Sequence, residues 1–245
     1  MHDVAVSTEK SSDNASTHVI KLREKKNGTF IKELVYSKTM NGVSLQQQRD
    51  FLRELVHIRF PNTEKIVIDA QSAGQGLLSL LAETWEYKDE RGEVYEYPPL
   101  VADDDQEAMS MSGAIPMVRA IQAYGNFNNK FYPYMKSCFE DGSLHLMTDS
   151  SESDEQYKNG EITPEEQLVH VEHDILIQEL SNIKQEISDK SNTMVYSRIV
   201  KKKKRDRATS LMYGLSYVFE LEFERKSKAY RKNENLDDFL SCVAF

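Results

Sequence analysis

The chain has 245 residues, 39% of them hydrophobic, and its 40 acidic residues outnumber 31 Lys and Arg to give a formal net charge of −9. That length can bury a sizeable core in one α/β domain, and the acidic balance excludes a protein that coats nucleic acid through bulk charge. No apolar run reaches the ~20 residues of a membrane span, the start carries no signal-peptide pattern, and Cys138 and Cys242 are too few for a disulfide framework. A soluble protein of a reducing cytoplasm, with no membrane partner, is expected.

The opening His2-Asp3-Val4-Ala5-Val6 reads as a strand carrying a carboxylate, followed by a polar loop through Asn14. Strand signals resume at 17–22 and 29–36, with Asn27-Gly28 as the hairpin turn between them. Leu45, Phe51, Leu52, Leu55, Val56 and Ile58 form the apolar side of an amphipathic helix over 43–58, which Pro61-Asn62 breaks. Ile66-Val67-Ile68 then reads as a buried strand that ends on Asp69. Gly74 and Gly76 punctuate the turn, and a helical run covers 77–82. Open α/β sheets place functional groups in this way, at the carboxyl edge of a strand beside a helix N-terminus. The alternative is that Asp69 caps the helix or holds the turn.

Residues 86–97, around Asp89-Glu90-Arg91-Gly92, read as a hairpin or extended excursion, and Leu100-Val101 as the start of a short strand. Asp103-Asp104-Asp105 is expected to be a solvated loop, because alternate side chains diverge. The segment 115–139 is helical in outline, with Tyr124, Phe127, Phe131, Tyr132 and Tyr134 read as core in preference to a base-stacking platform. The acidic run 149–162 is expected to be a mobile loop. Thr163-Pro164-Glu165-Glu166 supplies a cap, a proline at the first helical position and acids in the first turn, opening a long helix to about residue 190. His170, His173 and Asp174 on that helix have metal-ligand spacing but no matching partner, so they are read as a solvated face.

A last strand over 192–200 leads into the basic run Lys201-Lys202-Lys203-Lys204-Arg205. Asp206 follows in the first turn of an amphipathic helix on which Leu211, Leu215 and Val218 recur. An acid there also suits the helix dipole, which is its purely structural explanation. The remaining 226–245 read as a tail, polar until an apolar close from Phe239.

This order of carboxylate, hairpin, helix, strand ending in a carboxylate and late helix with a third resembles the ribonuclease H-like fold, an α/β architecture with a mixed sheet flanked by helices. More narrowly, four local motifs resemble the C-terminal nuclease domain of the large terminase subunit of tailed bacteriophages. They are Asp3-Val4-Ala5 with Ser12-Asp13-Asn14, Ile66-Val67-Ile68-Asp69 with Gly74-Gln75-Gly76, the short strand signal within 139–146, and Arg205-Asp206-Arg207-Ala208-Thr209-Ser210 running to Gly214. The resemblance covers nearly the whole chain and implies a single nuclease domain over 1–245. It implies an endonuclease that cuts double-stranded viral DNA during genome packaging, in the cytoplasm of the infected bacterial host. Its implied partners are the terminase ATPase domain, the portal protein and the small terminase subunit.

Carried over by position, the catalytic and metal-binding cluster is Asp3, Asp69 and Asp206. Two Mg²⁺ or Mn²⁺ ions about 3.5–4 Å apart can activate a water and stabilise the leaving oxygen of a phosphodiester. Such hard ions take oxygen ligands. Lys201, Lys202, Lys203, Lys204, Arg205 and Arg207 are the candidate phosphate contacts beside them. The chain departs from the family in two ways: only Met1 and His2 precede Asp3, and no Gly-x-x-x-x-Gly-Lys phosphate loop occurs. Both fit a chain that begins at the boundary between motor and nuclease. A ribonuclease H-like resolvase or other structure-specific nuclease, and a catalytically silent domain that docks a motor or portal, are the alternatives.

Overall fold

The structure, a computed structural model, describes residues 1–5, 14–124, 126–187 and 194–243, with side chains through residue 228. In chain order the elements are β1 (His2–Asp3), β2 (Ala15–Glu24), β3 (Phe30–Met40) and α1 (Leu45–Glu54), which runs on as a π-helical turn over Leu55–Arg59. Next come β4 (Ile66–Asp69), α2 (Ala73–Leu81), β5 (Trp85–Lys88), β6 (Val94–Tyr97), β7 (Leu100–Ala102), α3 (Gln106–Met109) and β8 (Ile115–Ile121). The rest are α4 (Phe127–Glu140), β9 (Leu144–His145), α5 (Ser150–Lys158), α6 (Pro164–Ser181), β10 (Ile183–Ile187), β11 (Met194–Arg198) and α7 (Asp206–Val243).

Seven strands form one mixed sheet in the order β7-β8-β4-β1-β2-β3-β9. β1, β2 and β3 are an antiparallel meander, while β4 lies parallel to β1, and β8 and β7 extend the parallel half. The meander turns at Asn27-Gly28, where Gly28 has φ 77° and the Asn27 side chain accepts the Thr29 amide at 3.1 Å. Only glycine takes that left-handed backbone without strain. α1 begins at a reciprocal cap, with Ser44 Oγ accepting from the Gln47 amide and Gln47 Oε1 from the Ser44 amide.

Side chains alternate between the two faces of this sheet except where the register shifts in β3 and between β7 and β8, and each face has its own core. Ile66 and Ile68 point toward α1 and α2, packing with Leu52, Leu77 and Leu81. Val67 points the other way, into the core built by Leu176 of α6 and by Leu211, Met212 and Leu215 of α7. A bulge in β3 opposes Val19 to Tyr36 but Ile20 to Leu34, leaving Val35 without an opposite residue. Leu34 therefore enters the α7 core, while Tyr36 turns toward Phe60, ring centroids 5.8 Å apart.

Arg53 of α1 is fully buried and is clamped by backbone carbonyls: Nη1 donates to Pro98 at 2.6 Å, and Nη2 to Leu81 at 2.5 Å and to Glu83 at 2.7 Å. One guanidinium thus ties α1 to the end of α2 and to the link between β6 and β7.

Several expectations change. Residues 115–121 form the strand β8, not the start of a helix. It is flanked by β7 and β4, and its near-continuous apolar start Ile115-Pro116-Met117-Val118 lacks the polar alternation that marks a half-exposed strand. The acidic run is not a loop over 150–158, because Asp149 caps α5 by accepting the Ser151 and Glu152 amides. Contacts with α6 then hold it, Gln167 donating to Asp154 at 2.6 Å. α6 stops at Ser181 and gives way to the hairpin β10–β11. Asn182 fixes this end by a tertiary bond pair, accepting the Val200 amide and donating to the Val200 carbonyl.

The backbone of the tail from 226 continues α7 to Val243, in a stretch with no glycine or proline. Asp103 is not solvated but paired with Lys65 at 2.7 Å and Arg119 at 3.3 Å, and Asp105 caps α3. Cys138 is buried and free. Among the described residues no helix is long and apolar enough to cross a membrane.

Candidate active site

Two of the three predicted carboxylates are brought side by side. His2 of β1 stands opposite Ile68 of β4 in a parallel ladder, so the next residues along, Asp3 and Asp69, are neighbours at the carboxyl ends of both strands. Paired residues of parallel strands point to the same face, with backbones ~4.8 Å apart. His2 and Ile68 face α1 and α2, and that alternation leaves Asp3 and Asp69 facing α7.

The Asp69 carboxylate is pinned from two directions. Oδ1 accepts the Gln71 amide at 3.1 Å, and Oδ2 accepts the Tyr213 hydroxyl of α7 at 2.9 Å. The turn after Asp69 is tight. A Cβ on Gly74 would lie 1.9 Å from the Asp69 carbonyl oxygen, so only glycine fits there, and Ser72 holds a left-handed φ of 46°. Strain of this kind clusters where surrounding structure over-determines a functional backbone. Burial, together with the charges of Asp3 and Asp69, pushes the Tyr213 hydroxyl well above the ordinary tyrosine range. It therefore stays a protonated donor.

Asp206 is buried at the first residue of α7, where its Oδ2 accepts the Asn14 amide at 2.8 Å. Asn14 directly precedes β2, and β2 begins beside the end of β1 because Asp3 pairs with Ser16. Asp206 therefore reaches the same sheet edge as Asp3 through a separate anchor. Among the described residues no three His, Cys, Asp or Glu side chains converge into a ready-made metal shell. Ser12 and Asp13 of the first motif lie outside the described residues. The donor chemistry fits a hard divalent ion, since every candidate ligand is a carboxylate oxygen.

The other side of β1 supports the pair. Buried His2 contacts Thr17 Oγ1 through Nδ1 at 2.7 Å and Gln48 Oε1 through Nε2 at 3.0 Å. Gln48 in turn donates to the Ala5 carbonyl at 2.7 Å. An amide oxygen can only accept, so Nε2 carries the proton and Nδ1 accepts from Thr17. Burial lowers the His2 pKa to about 4, which keeps this neutral tautomer.

The basic run divides. Lys201, Lys202 and Lys203 are exposed, Arg205 is half-buried, and Lys204 Nζ donates to Asn14 Oδ1 at 3.0 Å. Arg207 is not available to DNA. It is buried and paired with Glu172 at 2.7 Å and Glu179 at 2.9 Å. Glu179 also accepts the Arg207 and Ala208 amides, which caps α7 from a neighbouring helix. Burial raises its pKa above the usual glutamate value, against these bonds.

One histidine of α6 also differs from expectation: His173 is buried, and among the described residues neither ring nitrogen has a hydrogen-bond partner. It neighbours His18, whose Nε2 bonds the Arg207 carbonyl at 3.0 Å. Burial is the main cause that lowers the His18 pKa from 6.5 to about 3. The unfolded chain then takes up a proton below 6.5 that the folded chain refuses, so stability is full above that pH and is lost as pH falls. Between pH 7 and pH 5 this removes about 2 kcal/mol. His18→Gln keeps a donor for the Arg207 carbonyl without titrating, and should flatten the pH dependence of the urea midpoint. Parallel curves for wild type and variant would reject the assignment.

Sequence reasoning missed Tyr213, Glu179 and the His2–Gln48 support. Tyr213 alone had a legible signal: it lies seven residues after Asp206, two turns along the same helix face. Compared with protein-family models, with curated proteins and with solved structures, the chain matches none.

Proposed function

We propose that the chain is a divalent-metal-dependent endodeoxyribonuclease of ribonuclease H-like fold, the nuclease domain of a tailed-phage terminase large subunit. The observation that carries the reading is the side-by-side placement of Asp3 and Asp69 at the carboxyl ends of neighbouring parallel strands, under the helix that begins at Asp206. The topology supports it as well: an antiparallel meander whose first strand pairs in parallel with the strand after the first helix. Asp3 and Asp69 would hold the metal, with Asp206 completing the acidic set. A bound divalent ion supplies Lewis-acid activation of the phosphodiester and of the attacking water. The chain's own part is to fix these carboxylates and to hold the phosphate backbone at the exposed lysines. On this reading the protein works in the infected bacterial host with the motor, portal and small subunit of the packaging machine.

The test is cleavage of supercoiled plasmid with Mn²⁺ or Mg²⁺, with and without chelator. Cutting that persists in excess EDTA would sink the metal mechanism. A second reading, a silent docking domain, draws on the separate anchoring of Asp206. It predicts no saturable Mn²⁺ binding and no cleavage.

The exposed lysines give an independent prediction. Replacing Lys202 and Lys203 by Glu should weaken duplex binding alike on unrelated sequences, because phosphate contacts position a protein without reading bases. Each lost contact should lower the slope of log affinity against log salt by about 0.9. Fluorescence anisotropy across a salt series measures it, and an unchanged slope would remove these lysines from the DNA interface.

A further inference from the structure

Among the described residues the Asp69 carboxylate accepts one hydrogen bond on each of its two oxygens. Oδ1 receives the Gln71 amide at 3.1 Å and Oδ2 the Tyr213 hydroxyl at 2.9 Å. Each carboxylate oxygen has a second lone-pair direction, which neither of these bonds uses. The two donors fix the plane of the group and the side from which an ion approaches.

Tyr213 belongs to the same helix as Asp206, seven residues or ~10 Å further along. Its bond to Asp69 therefore ties α7 to β4, and with it sets how Asp206 stands over the end of the sheet. Phe127 meets the Tyr213 ring edge-on, centroids 5.8 Å apart. That packing holds the ring whether or not the hydroxyl is present.

We propose that Tyr213 is a positioning residue of the metal site, orienting the Asp69 carboxylate toward the ion and setting the distance of α7, with Asp206, from β4. The inference rests on the nuclease reading, whose ligands are Asp3, Asp69 and Asp206. The phenol touches neither metal nor DNA and acts through Asp69. Such outer hydrogen bonds to ligating groups typically contribute 10–100-fold in metal affinity or activity.

The competing view is that Tyr213 only packs α7 on the sheet. Tyr213→Phe separates the two, because it keeps the ring and removes the donor. Tyr132→Phe is the control: Tyr132 is buried in the same core as Leu211 and Met212 of α7 and stacks on Tyr196, and the substitution likewise removes only a hydroxyl.

The experiment titrates the full chain with MnCl₂ by calorimetry and by the electron paramagnetic resonance of free Mn²⁺, for wild type, Tyr213→Phe, Tyr132→Phe and Asp69→Asn. Wild type and Tyr132→Phe should bind alike, Asp69→Asn should lose the site, and Tyr213→Phe should bind at least about tenfold more weakly. Melting in EDTA should stay cooperative for all four. If Tyr213→Phe binds like wild type while Asp69→Asn does not bind, the positioning role is overturned and the nuclease reading stands. Equal weakening in both tyrosine variants also overturns it, because the effect is then general loosening of α7. If wild type takes up no Mn²⁺, or Asp69→Asn binds as well as wild type, the nuclease reading falls and the role of Tyr213 falls with it.

Discussion

Asp69→Asn is expected to cut the rate of Mn²⁺-dependent plasmid nicking by about a thousandfold or more, on the order of 4 kcal/mol in the barrier. The substitution removes a charge at the carboxyl end of β4 and changes almost no volume. The fold should survive it. The asparagine side chain would still present one oxygen to the Gln71 amide, and the Tyr213 hydroxyl can rotate to accept from the new amide nitrogen. Like charges on neighbouring strands repel, so losing one beside Asp3 should leave the melting temperature in EDTA equal or slightly higher. In saturating Mn²⁺ the order should reverse, because only wild type gains ligand stabilisation, about 2.7 kcal/mol at a hundred times Kd. A variant that cuts at the wild-type rate would remove Asp69 from the site, whatever the fold.

The largest stability effect is expected far from the site, at Arg53. Its guanidinium is buried among the Pro98, Leu81 and Glu83 carbonyls, and burial lowers its pKa only to about 10, so it is charged at neutral pH. Arg53→Met keeps the bulk but leaves one buried and two part-buried carbonyl acceptors without their donor. Unsatisfied buried groups cost about 1–3 kcal/mol each, while removing a desolvated charge returns part of that. The unsatisfied carbonyls win, and a net loss of about 2–4 kcal/mol is expected, a large share of the ~5–15 kcal/mol total of an ordinary domain. Arg53→Lys should lie between, since an ammonium cannot reach all three carbonyls with the geometry of a planar fork. Denaturant midpoints at neutral pH measure this. A Met variant as stable as wild type would show that the clamp contributes nothing.

What was legible in the sequence follows from how local its cause is. The hairpin at Asn27-Gly28, the amphipathic α1 and the strand that stops on Asp69 rest on turn chemistry and periodicity, and the structure has all three. Strand β8 was illegible because its sequence, apolar but for Arg119, carries no period-2 alternation, so Ile115–Ile121 reads as readily as helix. The end of α6 at Ser181 depends on Asn182 bonding to Val200, eighteen residues on, which no local pattern announces. In the candidate site, the positions of Asp3, Asp69 and Asp206 at strand and helix ends could be read from local pattern. Arg207 could not be sorted from Lys201–Lys203 by composition. As the residue after Asp206 on a helix it is turned ~100° away, toward Glu172 and Glu179.

The bulge in β3 also has a bearing on how the length of this chain can drift. In a paired strand the loss or gain of one residue swaps the faces of everything beyond it. Val35 is already outside that count, since Val19 opposes Tyr36 and Ile20 opposes Leu34. Removing it would restore an unbroken ladder with Leu34 and Tyr36 still on opposite faces. Removing a residue several places away would instead swap the faces of the segment between that gap and the bulge. The Val35 position is therefore a point of tolerance for a single-residue deletion inside a long paired strand of the sheet.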